Sequence, residues 1–308
     1  MARVLVVGGA HLDREGRLFA PHIAGASNPG RWETHAGGGA FNAARNLSRL
    51  GHRVTLVSPR GGDAAGDMVA EAAVDAGIED CPITFLDRAT PSYSAILEPD
   101  GNLVTALADM QLYDLVPARR LATWRFRARL DAAEVLLIDA NMPADTLALL
   151  AEAARARGIV SAGIAISPAK VGRFAAALAD LDFLFMNRNE ARALTGRSES
   201  GETGWPGALR EKGLAGGAVT AGGEAVSAFC GDETLTLFPP PLADIADVTG
   251  AGDALAAGFL DAHLSGADLK AALSRGIALA RLTAGVRGPV RDDLTPALLA
   301  EACAAFTG

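Results

Sequence analysis

The chain has 308 residues, 28 Lys plus Arg against 36 Asp plus Glu, a formal net charge of −8 and a 50% hydrophobic composition. That is enough apolar material for a large core, and an acidic balance without long basic runs argues against nucleic-acid or membrane-surface partners. Cys81, Cys230 and Cys303 are far apart and in no metal-ligand spacing, no stretch approaches the roughly 20 apolar residues of a membrane span, and the N-terminus lacks signal-peptide features; a reducing, cytoplasmic setting is expected.

The first apolar run, Val4 to Val7, predicts a strand that ends in Gly8-Gly9. Residues 11 to 35 then break the rhythm with charges, Pro21, Pro29 and several glycines, before Gly37-Gly38-Gly39 opens a helical pattern from Ala40 to Leu50. A strand over Val54 to Val57 and a helix over Asp63 to Ala76 follow. Residues 83 to 109 read as an extended pair around the turn Glu98-Pro99-Asp100-Gly101.

Beyond that pair the alternation returns. Strands are predicted over Val135 to Asp139, Ile159 to Ile166 and Phe183 to Met186, with helices over Ala144 to Arg157, Ala169 to Ala179 and Glu190 to Thr195. Three more strands, Gly217 to Thr220, Ala225 to Phe229 and Leu235 to Phe238, precede a tail that is almost wholly helical after Asp247. Strand, helix, strand in repetition predicts an α/β fold, a doubly wound and mostly parallel sheet with helices on both faces. The two irregular segments, about 11–35 and 83–109, are expected to form a small β-sheet lid inserted into a single domain spanning 1–308.

The most informative segment is DVTGAGDALAAGFL, residues 247 to 260. A turn, Thr249-Gly250-Ala251-Gly252, leads into Asp253 at the start of an Ala-rich helix, so free N–H groups and the positive dipole end point at whatever sits above the glycines. A carboxylate beside a bound phosphate makes chemical sense as a general base toward an attacking hydroxyl. The competing account is a glycine turn with Asp253 as an ordinary helix cap.

Gly37-Gly38-Gly39 lets a ligand approach the backbone, and the following helix lifts Asn42, an amide suited to neighbouring sugar hydroxyls; Asp13 is the matching acceptor-only candidate. Asn187-Arg188-Asn189-Glu190 lies at a strand end, where Asn187 and Glu190 could serve Mg-ATP through its hydration shell or simply cap a helix. Thr220-Ala221-Gly222-Gly223 ends another strand, as a phosphate contact or as a hairpin turn, and Lys170 is either a point charge for a phosphate or a solvated lysine. No HExxH pair, GxSxG elbow, dinucleotide fingerprint or Walker A loop occurs.

GGGAFNAARNLSRLG and DVTGAGDALAAGFL, with the Asn187 and Thr220 elements between them, occur in an order and spacing that resembles the ribokinase-like (PfkB) carbohydrate kinase family over essentially the whole chain. The resemblance implies phosphoryl transfer from Mg-ATP to a sugar or nucleoside hydroxymethyl group, with Asp253 as base and Gly250, Ala251 and Gly252 as the anion hole. It further implies ATP contacts at Asn187, Thr220, Gly222, Gly223 and Thr249, magnesium at Glu190, a homodimer formed through the lid and, as an open option, a K+ ion near the catalytic loop.

Within the family the chain looks most like pseudouridine kinases. The likeness rests on Gly9 to Arg14, Ser27 to Gly30, Ser92 to Ala95, Ala108 to Asp114 and Asp139 to Pro143, and it points to Asp13, Gly38, Gly39, Asn42, Ser27, Tyr93, Asp109, Asn141 and Lys170 as substrate contacts. Two positions depart from the pattern: His11 stands where relatives commonly have Asn, and Gly163 to Lys170 lacks an Asp before the Pro. The expected acceptor is the 5′-hydroxyl of a ribosyl nucleoside, pseudouridine first. The alternatives are a free-sugar kinase acting on ribose, fructose or a deoxy sugar acid, and a sugar or nucleotide sensor without turnover.

Overall fold

Short Val- and Leu-rich runs, buried on both faces, become the inner strands of one sheet because only a covered parallel sheet hides such runs completely. The computed structural model describes residues 1–197, 204–242 and 244–307. Its strands are β1 (Arg3–Val7), β2 (His11–Leu18), β3 (Gly30–Gly37), β4 (Arg53–Val57), β5 (Pro59–Gly61), β6 (Glu79–Asp80), β7 (Ile83–Phe85), β8 (Ser92–Leu97) and β9 (Leu103–Asp109), then β10 (Val135–Asp139), β11 (Val160–Ile164), β12 (Phe183–Asn187), β13 (Gly216–Thr220), β14 (Val226–Cys230) and β15 (Glu233–Leu237). The helices are α1 (Gly39–Arg49), α2 (Ala64–Asp75), α3 (Ala118–Leu121), α4 (Trp124–Ala132), α5 (Ala144–Arg155), α6 (Arg188–Thr195), α7 (Trp205–Glu211), α8 (Ala251–Leu264), α9 (Leu269–Ala284) and α10 (Pro296–Thr307).

Nine strands form the main sheet in the order β15-β14-β13-β12-β11-β10-β1-β4-β6. Every pairing from β13 to β6 is parallel, and only β14 and β15 run antiparallel. Alternation along β1 divides the core into two: Val4 and Val6 join Phe41, Leu47, Phe259 and Leu279 on one face, while Leu5 and Val7 join Ile138, Leu150 and Phe174 on the other. Helices α8 and α9 cross closely because Gly258 and Gly276 meet there; a Cβ on Gly276 would lie 2.7 Å from the Leu255 carbonyl oxygen. Among the described residues no helix is long and apolar enough to cross a membrane.

A second sheet of four strands, in the order β3-β2-β8-β9, is separate from the first. The turn predicted at Glu98 to Gly101 is its β8–β9 hairpin, closed by the Gly101 N–H donating to Glu98 at 2.9 Å. The expected segment 83–109 joins the small sheet only from Ser92, since β7 (Ile83–Phe85) pairs with β5 in a two-stranded ribbon.

The helix predicted over Ala169 to Ala179 is instead a pair of 3-10 turns, Val171–Phe174 and Leu178–Asp180. Val171, Phe174 and Ala177, three residues apart, are all fully buried, a spacing that suits three residues per turn better than 3.6. Helices α3, α4 and α7 are too short, or too rich in arginine, to have stood out as apolar periodicity.

Candidate active site

From β1 the chain winds through α1 to β4 and β6 on one side, and then returns to place β10 on the other side of β1. That reversal makes a topological switch point at the C-terminal ends of β1 and β10, the kind of place where ligands of open α/β sheets bind. Asp139, the last residue of β10, is fully buried there. Its Oδ2 accepts hydrogen bonds from the Gly9 N–H at 2.9 Å, the Ala40 N–H at 3.1 Å and the Asn141 Nδ2 at 3.0 Å, and its Oδ1 accepts the Asn141 N–H at 3.0 Å. Four donors satisfy the buried charge and join the end of β1 to the start of α1. The approach needs glycine, since a Cβ on Gly8 would stand 2.7 Å from Asp139 Cγ.

Asn141 and Lys170, expected as substrate contacts, belong to this buried assembly. Lys170 Nζ donates to Asn141 Oδ1 at 2.6 Å, so both ends of an amide that is 1% exposed are already engaged. Burial lowers the Lys170 ammonium below its ordinary range, a pull that Asp139 opposes.

Helix α1 is preceded by its cap residue Gly38, whose φ of 110° only glycine adopts comfortably, and its first turns project Asn42 toward the start of α8. There Asn42 Nδ2 donates to Asp253 Oδ2 at 2.8 Å. The second carboxylate oxygen, Oδ1, passes over Gly39, where an added Cβ would stand 3.1 Å away. Asp253 is part-buried, and desolvation raises its carboxyl from 3.8 to about 7, against the bond from Asn42 and with help from the negative fields of Asp139 and Glu190. A carboxylate poised near neutral pH is suited to taking a proton.

At the head of α8, Gly250 has φ 76° and lies against the Pro289 carbonyl, with which any Cβ would collide. The Ala251 N–H donates to Val248 at 3.2 Å and the Ala254 N–H to Gly250 at 2.8 Å, so the Gly252 and Asp253 N–H groups are the ones without a helical acceptor. Space is open beside Gly252, where an added Cβ would touch nothing within 4 Å. Thr249 is exposed, its N–H donating to Asp247 Oδ1 at 2.9 Å in a turn that the Gly288 N–H also ties to Asp247 at 3.3 Å.

Of the expected nucleotide residues, Thr220 ends β13, and Gly222 and Gly223 border free space. Asn187 and Glu190 form a capping box on α6: Asn187 Oδ1 accepts the Asn189 and Glu190 N–H groups at 2.9 and 3.0 Å, and Glu190 Oε2 accepts the Asn187 N–H at 2.7 Å. Glu190 is 6% exposed and burial raises its carboxyl above the usual range. No group of three His, Cys, Asp or Glu side chains able to hold a metal occurs among the described residues.

The small sheet supplies the remaining candidates unevenly. Asp13 pairs with Tyr93 across β2 and β8, so these two share a face, together with His11. His11 Nδ1 is 2.8 Å from the buried Tyr113 hydroxyl and its Nε2 is 3.3 Å from Asp13 Oδ1. Asp109 pairs with Ser92, one step out of phase, and projects to the opposite face; Ser27 is exposed in the β2–β3 connection. Asp139 and Tyr113 were absent from the expected site because their roles depend on strand order. Arg45, which donates to Asn42 at 2.6 Å, lies three residues along the same helix face, a spacing visible in the sequence.

The chain is similar to known proteins in both sequence and fold. The pfkB family of carbohydrate kinases matches residues 1–295. A carbohydrate kinase from Agrobacterium tumefaciens is 51% identical, superposes with a TM-score of 0.91 and is covered over 98% of its length by 99% of this chain. The pseudouridine kinase of Escherichia coli is 28% identical over 274 residues, 85% of this chain and 84% of that protein. Arabidopsis thaliana ribokinase, solved with ribose and ATP, shares the fold with a TM-score of 0.85 at 21% identity, over 98% of each chain. The chain therefore belongs to the pfkB family of carbohydrate kinases, phosphotransferases with an alcohol group as acceptor.

Proposed function

We propose that this protein transfers the γ-phosphoryl group of Mg-ATP to the primary 5′-hydroxyl of a ribosyl nucleoside, with pseudouridine as the acceptor. The observation that carries the proposal is Asp253: a carboxyl near neutral pH, in the first turn of α8, with one oxygen held by Asn42 and the other beside a glycine. Its free oxygen accepts the hydroxyl proton as the acceptor oxygen attacks the γ-phosphorus and the bond to the leaving diphosphate breaks. The Gly252 and Asp253 N–H groups stabilise the charge that gathers on the transferred group.

Magnesium supplies neutralisation of the leaving diphosphate, and Glu190 would hold it through water. Asp13, Asn42 and Tyr93 hold the acceptor, and the four-stranded sheet acts as a lid that keeps water from competing as acceptor. On its outer face Trp32 and Leu107 are 51% and 71% exposed, and a second copy of the chain covers them in a homodimer.

ADP release measured with pseudouridine, uridine, ribose and fructose tests the reading. Pseudouridine is expected to give the highest kcat/KM; a free sugar in first place would replace the nucleoside by a sugar. Asp253→Asn is expected to lose about 100-fold or more in kcat, and equal turnover by both proteins would remove Asp253 from the chemistry. Because the carboxyl must be ionised to act, kcat should fall about tenfold per pH unit below about 7 and level off above it. The same assay with K+ exchanged for a large organic cation reads any dependence on a monovalent ion.

A further inference from the structure

Arg45 is a part-buried cation that the reaction scheme above leaves without a task. Its NH2 group donates to Asn42 Oδ1 at 2.6 Å and to the Ala36 carbonyl at 3.0 Å, and its guanidinium lies 4.7 Å from the centre of the Phe41 ring. It forms no ion pair among the described residues, and its Nε is buried without a partner. Burial, with the neighbouring Arg49, lowers it from 12.5 to about 10, while the fields of Asp292, Asp13 and Asp253 act to keep it charged. Holding a cation there is expensive unless its charge and its donors are used.

We infer that Arg45 is a positioning residue: by donating to Asn42 Oδ1 it locks the amide so that only its NH2 end can face Asp253, and so favours the ionised, proton-accepting form of that carboxylate. The inference rests on the reading of Asp253 as the base.

An amide has nearly the same shape in both orientations, so packing alone does not choose between them. Guanidinium can only donate and an ionised carboxylate can only accept, so Arg45 on one side and Asp253 on the other admit a single orientation. Without Arg45 the amide can turn its oxygen toward Asp253, and that oxygen accepts only from the protonated acid. The groups facing Asp253 are Asn42 and Arg45 from α1, Asp139 from the end of β10 and Glu190 from α6. Asp139 and Glu190 oppose ionisation, which leaves the Arg45–Asn42 pair as the only favourable influence among these side chains.

Arg45→Met and Arg45→Lys separate this role from simple packing. Two readouts are used: the pH dependence of kcat, and the titration of Asp253 followed directly by 13C NMR of its carboxyl carbon in the full protein. Arg45→Met is expected to move both apparent pKa values up by about one unit, to cut kcat near pH 7 about fivefold to tenfold and to raise the acceptor KM several-fold. Arg45→Lys, which keeps a charge and a donor, is expected to recover most of the shift. If Arg45→Met does not fold, Arg45→Leu gives the same reading, because it too removes the charge and every donor.

An unchanged Asp253 titration in Arg45→Met, or in Arg45→Leu in its place, overturns the inference. The carboxyl titration needs no turnover. A wild-type protein that shows no phosphoryl transfer would defeat the proposed function, whereas a normal wild type whose variants titrate like it would defeat only the role of Arg45.

Discussion

The two sheets of this protein solve opposite problems. In the large sheet every residue of β10 is buried and β1 is exposed only at Arg3, whereas in the small sheet six of the seven residues of β9 and the first five of β3 face solvent. Burial on both sides lets the large sheet hold a polar group such as Asp139 under tight geometric control. A sheet with open positions on one face can instead vary its side chains at low cost in stability. The difference teaches that the proposed base sits against the part of the chain least free to change, while the proposed recognition of the acceptor and of a second copy would fall to the part that tolerates change.

The sharpest way to break this comparison is at the edge of the large sheet. Arg60 in β5 is 3% exposed and donates twice to Asp80 in β6, at 2.8 and 2.9 Å, yet the Asp80 carboxyl is still raised, because desolvation outweighs the attraction to Arg60. Arg60→Met therefore leaves a half-buried carboxylate with no partner and should cost about 3 kcal/mol of stability, read by urea unfolding. A loss under about 0.5 kcal/mol would mean that this edge is as forgiving as the small sheet.

A smaller effect, of opposite sign, is expected at Asp253. Its carboxyl is raised in the folded protein, so the folded state binds the proton more tightly than the unfolded state does. Stability from this group is then fullest below pH 4 and is lost as pH climbs to about 7. Asp253→Asn escapes that loss and can still accept from Asn42. Above pH 7 it should be more stable than the wild type by about 2 kcal/mol, roughly half of what the full shift would give because the group is partly exposed. Thermal unfolding of the two proteins at pH 5 and pH 8 reads this, and equal Tm differences at both values would contradict it.

The smallest effect belongs to the small sheet. Leu107→Ser, at a position 71% exposed, should change monomer stability by less than about 0.5 kcal/mol. It should weaken the proposed pairing of two copies, measured by sedimentation equilibrium. A monomeric wild type would remove that pairing.

Much of this arrangement is readable from the chain itself. The inner strands announce themselves as short apolar runs such as Val4 to Val7 and Val135 to Ile138, and Asp253 and Asn42 each follow a glycine turn into a helix, so their positions survive folding almost unchanged. What the sequence hides is whatever depends on distance across it. Asp139 acts through residues about 100 to 130 positions away, and whether Asp109 shares a face with Asp13 depends on a register of one residue. Asn187 and Glu190 illustrate a third limit, since a strand-end amide and acid are read equally well as ligands or as a cap, and the observed bonds are those of a cap.

Asp139 has a consequence beyond joining the end of β1 to the start of α1. Because one carboxylate fastens segments from the beginning and the middle of the chain, neither segment can settle into its working position before the other arrives. A nascent chain that has not yet produced β10 lacks the carboxylate that joins the Gly9 and Ala40 N–H groups, however well its first strand and helix have formed.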